Sequence, residues 1–441
     1  MGGRLEGEDL PFRGVSTDSR TLEPGVLFVA LRGERFDGHD HVAAAAAAGA
    51  VGAVVESAVE VGLPAIRVTD SRLALGLLAA GWRRRFSLPL VGVTGSNGKT
   101  TVKEMCAAIL QRRGPVLATR GNLNNDIGVP LTLFGLGAEH RAAVIEMGAN
   151  HPGEIAVLAG MAAPTVGVVT NAGPAHLEGF GSLEGVARAK GELFASLPPE
   201  GVAVINADDS FRPLWEELAA DRRVIRFGLE GEAEVAGRWH PVEGGGRLEL
   251  TSPQGAEVIR LPLSGRHNAL NALAAAAATL ATGASLEEVV GGLEGMTPVA
   301  GRLRSLRGPE GLEIIDDTYN ANPASLRVAL EVLAARPGEH WLALGDMGEL
   351  GPEAERLHRE AGEAARAAGV TRLFAIGSLG RRVVEAFGTG GEWFDDHRQM
   401  AERVAALVGE GETVLLVKGS RAMNMERLVE QLVERGEGAT C

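Results

Sequence analysis

Seven consecutive residues, Gly95, Ser96, Asn97, Gly98, Lys99, Thr100 and Thr101, have the composition of an anion cradle. Glycines let backbone N–H groups approach a phosphate closely, and the free amides at the start of a following helix add to the same field. In such a loop a lysine neutralises the β and γ phosphates and a threonine hydroxyl ligates Mg²⁺, roles that Lys99 and Thr100 can fill. The spacing departs from the common G-x-x-x-x-G-K-[ST] pattern, which would put a glycine where Val93 stands; the first glycine of the loop is Gly95. A strand-to-helix turn that merely contains Lys-Thr is the alternative. The apolar run at 90–93, two glycines, the lysine and two threonines in this order favour phosphate binding.

Nucleotide chemistry also requires a carboxylate for magnesium at the end of a neighbouring strand. Glu146 follows the apolar run "AAVI" and can supply it, though its meaning comes only from pairing with the loop. His176 lies past the end of the strand read in "TVGVVTN", in the place where ligands of open α/β sheets gather. Lys190 follows in a predicted helix with Glu192 close by. A helical lysine is ordinarily solvated, and the alternative for Lys190 is a surface ion pair with Glu192, worth little.

Positioning these groups takes a large scaffold. At 441 residues the chain exceeds one hydrophobic core, and its 45% hydrophobic and 23% charged residues describe an ordinary globular protein. No apolar run reaches the roughly 18 to 20 residues of a membrane span, and the opening "MGGRLEGEDL" has no signal-peptide core, so the expected location is the cytoplasm. A formal charge of −14 argues against a nucleic-acid partner. Two cysteines, Cys106 and Cys441, give neither a disulfide framework nor a thiolate metal cluster. The alanine runs at 43–48 and 274–278 read as helix interiors.

Apolar strands alternate with helices along the chain, the pattern of parallel α/β architecture. Strands are expected in 25–31 and 52–56, then in "LVGVTG", "AAVIEMG", "TVGVVTN" and "GVAVINADD", then in "LEIIDDTYN", "HWLALGDMG", "TRLFAIG" and "TVLLVKGS". Changes of character near 87 and 298 divide these into three α/β domains, 1–87, 88–297 and 298–441, with both joints as candidate hinges.

"TGSNGKTT", "EMGANHPGEI", the His176 to Lys190 spacing, "GRHNALNALAA" and "GRL" together resemble the Mur ligase family, the ATP-dependent amide-forming enzymes of peptidoglycan precursor synthesis. The similarity runs from about Ser16 to Glu426. It implies a small N-terminal α/β substrate domain, a central P-loop ATPase-like domain and a C-terminal Rossmann-like domain. By resemblance, residues 95–101 bind ATP, with Lys99 on the phosphates and Thr100 on one Mg²⁺, while Glu146 and His176 hold a second Mg²⁺. Lys190 matches a lysine that the family carries as a carbamate, which turns a cation into a metal-organising anion. Asn268, Arg302 and Asp317 match nucleotide-contacting positions, with Arg302 near the γ-phosphate.

"IDDTYNANPAS", "LGDMGELG" and "LVKGSRAMNME" resemble the member that adds a dipeptide. The implied substrates are UDP-N-acetylmuramoyl-tripeptide and D-alanyl-D-alanine, joined by a monomer through an acyl phosphate. "VSTDSRTLEPGVLFVALRGERFDGHDHV" resembles the domain holding the uridine end, with Ser16, Asp18, Ser19, Arg20, Gly38 and His39 on that surface. One departure is His41, where an aromatic is expected; it puts the packing of that turn in doubt. In the last domain, Tyr319, Asn320 and Asn322 lie after a strand, and Lys418, Ser420 and Arg421 lie at a strand-to-helix turn that suits a carboxylate. Another amino acid ligase of the family and a P-loop NTPase switch that ligates nothing stay as rival readings. A dinucleotide oxidoreductase is disfavoured because no G-x-G-x-x-G follows the last domain's strands.

Overall fold

The computed structural model describes residues 2–438 apart from 34, 35, 60, 175, 176, 243 and 410. Among these residues the strands form three sheets that follow one another along the chain. The first has the spatial order Arg4–Glu6, Ala65–Arg67, Gly52–Val55, Leu27–Val29, Val15–Ser16, parallel except at its first pair. The alanine run contributes only the short helix Val42–Ala47, because Gly49 (φ +98°) turns the chain away.

The central sheet runs Gly255–Leu261, Gly245–Ser252, Val235–Val242, Arg223–Gly228, Val202–Asn206, Val166–Val169, Leu90–Thr94, Ala142–Glu146, Val116–Ala118. Its parallel middle is made of strands buried at every position, such as Leu90–Thr94 and Ala142–Glu146, which is why they read as continuous apolar runs. The three strands between Val235 and Leu261 pair antiparallel with one another, and their many exposed residues carry a weaker signal than a continuous apolar run. The helix Arg266–Ala281 packs beside the helix Lys99–Gln111 with its alanines from Ala269 to Ala278 buried. Small side chains let the two axes approach. Both helices begin on the side where Leu90–Thr94 ends.

The third sheet has the order Arg304–Arg307, Glu313–Asp317, Thr413–Lys418, Glu339–Gly345, Arg372–Ile376, Gly391–Phe394, antiparallel only at the first pair. Its inner strands end at Asp317, Lys418 and Gly345, so the candidate residues at and just after those ends lie on one side of the sheet.

The joint near 87 is clamped. Arg83 is buried, and its guanidinium donates to the carbonyls of Ala162 (2.9 Å), Phe86 (2.6 Å), Leu88 (3.3 Å) and Ala163 (3.4 Å). The Trp82 indole donates to Leu136 O at 3.1 Å. With its guanidinium engaged by four carbonyls, Arg83 ties this joint to the central unit and counts against a free pivot there. Among the described residues no helix is long and apolar enough to cross a membrane.

Candidate active site

The loop that follows Leu90–Thr94 is built around two glycines that no other residue can replace without displacement. Gly95 has φ +143°, and a Cβ there would fall 1.9 Å from Thr170 Oγ1. Gly98 has φ +82°, and its Cβ would fall 2.5 Å from Asn271 Oδ1. Val93 lies inside the strand with no exposed surface. The shifted glycine is thereby explained: the loop begins two residues later than in the common pattern, where the chain must pass Thr170.

A second segment braces the loop. The amides of Ser96 and Asn97 donate to Asn171 O and Asn171 Oδ1, both at 3.0 Å. Thr170 Oγ1 (2.6 Å) and Asn171 Nδ2 (3.0 Å) donate to Asn97 O, and Ser96 Oγ accepts from Gly173 N at 2.9 Å. That brace is itself held from the next strand, since Asn206 Nδ2 donates to Thr170 O (2.9 Å) and Asp209 Oδ2 accepts from Ala172 N (3.0 Å). Burial raises the Asp209 carboxyl above its usual range.

Lys99 folds back over the loop, with Nζ donating to Gly95 O (2.8 Å) and Ser96 O (3.3 Å). Burial lowers the pKa of its ammonium; Glu146 counteracts this and Arg302 reinforces it. Arg302, from the third unit, donates from Nη2 to Thr100 Oγ1 at 2.8 Å and lies 4.0 Å above the Tyr319 ring. Asn322 Nδ2 donates to Asn97 Oδ1 at 3.0 Å. The third unit therefore touches the loop at two points. The Thr100 hydroxyl, expected on magnesium, carries Arg302's hydrogen bond here and has a second lone pair left. Thr101 is buried behind it.

Glu146 is 1% exposed at the end of its strand. Oε1 accepts from Asn124 Nδ2 at 2.8 Å, while Oε2 is buried and hydrogen-bonds no group among the described residues. A carboxylate oxygen of this kind fits a hard divalent cation, which takes oxygen ligands. Lys190 is 2% exposed, not solvated. Its Nζ donates to Ala149 O at 3.3 Å and sits 5.2 Å from the Phe180 ring centroid. Burial first, then the charge of Lys99, brings its pKa down to about 7. The surface ion pair with Glu192 does not form its environment: the Glu192 carboxylate accepts the amides of Gly153 (2.7 Å) and Ala156 (3.1 Å). His176 lies outside the described residues. Among the described residues no three His, Cys, Asp or Glu side chains gather as a metal cluster.

Asn268 is buried at the start of its helix, donating to Ser264 O (2.8 Å) and accepting from Asn271 Nδ2 (3.3 Å). Asp317 Oδ2 accepts from Lys418 Nζ at 2.5 Å, and the same ammonium reaches Asn320 O at 3.0 Å. Burial lowers the pKa of the neighbouring His267 to about 4, against the attraction of Asp317. Ser420 is buried, its amide donating to Asp346 O at 3.0 Å. Arg421 is largely exposed and donates to Glu426 at 2.9 Å.

At the N-terminal surface, Ser16 Oγ donates to Asp18 O (3.1 Å), and Asp18 holds Arg20 through both carboxylate oxygens at 2.9 and 2.7 Å. The Arg20 hydrogen bond brings the Asp18 carboxyl down to about 2. Ser19 is half-buried between them. Gly38 packs where a Cβ would meet Leu31 N and O at 2.7 Å. His39 is engaged at both ring nitrogens, Nδ1 with Asp37 at 2.5 Å and Nε2 accepting Glu56 N at 2.8 Å, so it pins the turn. His41 is exposed, and its departure from an aromatic leaves that turn intact.

Sequence reasoning passed over Asn124, Thr119, Asn171 and Asn271. The run "NLNND" at 122–126 and the asparagine that closes "VVTN" were the available signals.

Three family descriptions match the chain in order: "Mur ligase family, catalytic domain" at 11–83, "Mur ligase middle domain" at 93–279 and "Mur ligase, glutamate ligase domain" at 301–421. The chain is 45% identical over 444 residues to the "UDP-N-acetylmuramoyl-tripeptide--D-alanyl-D-alanine ligase" of Escherichia coli (strain K12), covering 100% of this chain and 97% of that protein. To the Bacillus subtilis (strain 168) protein of the same description it is 34% identical over 437 residues, covering 97% and 94%. Among solved structures, MurF from Acinetobacter baumannii superposes with TM-score 0.90 at 39% identity, covering 95% of this chain and 93% of that one. MurF ligase from Thermotoga maritima in complex with ADP gives 0.87 at 30% identity, covering 98% and 100%.

Proposed function

The chain belongs to the Mur ligase family, and from that premise we propose how its own residues carry the reaction. It is an ATP-dependent ligase that joins D-alanyl-D-alanine to UDP-N-acetylmuramoyl-tripeptide, giving the UDP-muramoyl-pentapeptide, ADP and phosphate. The observation that carries the mechanism is the Arg302 to Thr100 hydrogen bond, which brings a cation of the third unit onto the loop beside Lys99.

A carboxylate is a poor electrophile. Its oxygen first takes the γ-phosphoryl group of ATP to form an acyl phosphate; the dipeptide amine then attacks the carbonyl and phosphate leaves. Transfer of this kind depends on in-line positioning and charge neutralisation, and no protein nucleophile is required. The backbone of residues 95–101 cradles the phosphates, Lys99 and Arg302 neutralise the transferred group, and Asn268 and Asp317 line the nucleotide. Thr100, Glu146, His176 and Lys190 as its carbamate would hold two Mg²⁺ ions, which neutralise charge on the phosphate oxygens when bound. The burial of Lys190 and its depressed pKa support the carbamate, since CO₂ adds to the neutral amine.

We assign residues 1–87 to the uridine end of the substrate through Ser16, Asp18, Ser19 and Arg20, with Gly38 and His39 shaping that surface. Residues 88–297 bind ATP. Residues 298–441 receive the dipeptide through Tyr319, Asn320, Asn322, Lys418, Ser420 and Arg421, the chain acting as a cytoplasmic monomer. With ATP, Mg²⁺ and the UDP-tripeptide, phosphate release requires D-alanyl-D-alanine, and mass spectrometry finds the UDP-pentapeptide. Phosphate release at the same rate without dipeptide points to the NTPase switch and sinks this reading.

A further inference from the structure

We propose that Asn124 is a positioning residue that holds the Glu146 carboxylate in the one rotation that presents Oε2 to a divalent cation, with Thr119 and Lys103 as its foundation. The proposal rests on the reading of Glu146 as a cation ligand.

The terminal torsion of a glutamate is broad and roughly two-fold, so burial alone does not decide which oxygen faces a ligand. Asn124 decides it. Its amide donates to Oε1 at 2.8 Å, leaving Oε2 as the oxygen without a partner among the described residues. Asn124 is in turn fixed by its own backbone, whose carbonyl accepts Gly148 N at 2.8 Å. Its side chain also lies against Gly148, where a Cβ would come within 2.9 Å of Asn124 Oδ1.

The other end of the segment fixes the Glu146 backbone. Glu146 N donates to Thr119 Oγ1 at 2.9 Å, and Thr119 N donates to Val144 O at 3.1 Å. The Thr119 carbonyl accepts from Lys103 Nζ at 2.8 Å. Lys103 is 1% exposed and also paired with Glu104. It lies one turn beyond Lys99 on the helix Lys99–Gln111. A buried ammonium on the phosphate loop's own helix thus anchors the segment that aims Glu146, so loop and carboxylate move as one body. Partners of this kind orient metal ligands without touching the metal, and their removal weakens metal affinity about 10- to 100-fold.

The test measures Mn²⁺ binding to the full chain with ADP by electron paramagnetic resonance, alongside ADP affinity without metal. Asn124→Ala should weaken Mn²⁺ at least about tenfold while metal-free ADP binding stays at the parent value, and high Mn²⁺ should restore turnover. Thr119→Val should weaken Mn²⁺ in the same sense, and Thr119→Ser, which keeps the hydroxyl, should not. This pair decides the matter if Asn124→Ala does not fold. Glu146→Gln is the control. Parent-like Mn²⁺ binding in Asn124→Ala, or in Thr119→Val if Asn124→Ala does not fold, overturns the proposal if Glu146→Gln binds poorly. Parent-like binding in Glu146→Gln as well overturns the reading of Glu146 and this proposal with it.

Discussion

Lys99→Met lowers kcat by about 10³-fold while ADP affinity falls by less than about tenfold. The two effects separate because the loop divides its labour. The proposed nucleotide cradle is the loop backbone, braced by Asn171 and shaped by the Gly95 and Gly98 conformations, which serves ground state and transition state alike. Lys99 rests on Gly95 O and Ser96 O, and Arg302 approaches the same loop through Thr100. Its charge matters most as the γ-phosphoryl group is transferred, when an interaction stronger in the transition state appears in kcat. Methionine keeps the packing of the stem, so thermal stability should hold. Steady-state kinetics with calorimetric ADP titration make the measurement. An equal loss in ADP affinity and turnover would make Lys99 a ground-state anchor only.

Lys190→Ala removes activity by about 10²- to 10³-fold, and acetate or formate returns part of it. The side chain is enclosed between Ala149 O and the Phe180 ring, so truncation leaves a space in which a small carboxylate can stand in the place proposed for the carbamate. An unmodified lysine here would be a cation near Lys99, an arrangement that burial and charge repulsion both oppose. The depressed pKa, about 7, sets the pH dependence: the neutral amine that takes up CO₂ predominates above it and is lost to protonation below it. Carbon-13 bicarbonate should therefore give a carbamate signal at pH 8 that fades at pH 6 in the parent and is absent in Lys190→Ala. Full activity in Lys190→Ala would contradict the assignment, and so would a loss that no carboxylate relieves together with a silent parent spectrum.

The candidate residues at the ends of long apolar strands could be read from the chain. Lys99, Thr100 and Glu146 follow runs buried on both faces, where continuous hydrophobicity marks the strand and its end marks the candidate site. Lys190 was half legible. Val186, Lys190 and Leu193 share one helical stripe, and that stripe is buried, so its phase already argued against a solvated lysine. Asn124 and Thr119 left no such trace, because they act across 22 and 27 residues through hydrogen bonds that no local period records. The same holds for the Asp317 to Lys418 pair, joined only because the strands Glu313–Asp317 and Thr413–Lys418 are neighbours in the sheet. The antiparallel strands from 235 to 261 are faint for a different reason: much of that ribbon is exposed, so it has no continuous apolar run. At Arg83 an arginine triplet that looks like surface charge contains the clamp of a domain joint.

Transfer of ATP's γ-phosphoryl group to the substrate carboxylate before the amine arrives is the claim on which every residue role depends. It is tested most directly with UDP-N-acetylmuramoyl-tripeptide whose terminal carboxylate carries oxygen-18. The account predicts that turnover with ATP and D-alanyl-D-alanine places one labelled oxygen in each inorganic phosphate released. Unlabelled phosphate, with the label confined to water or product, would contradict it.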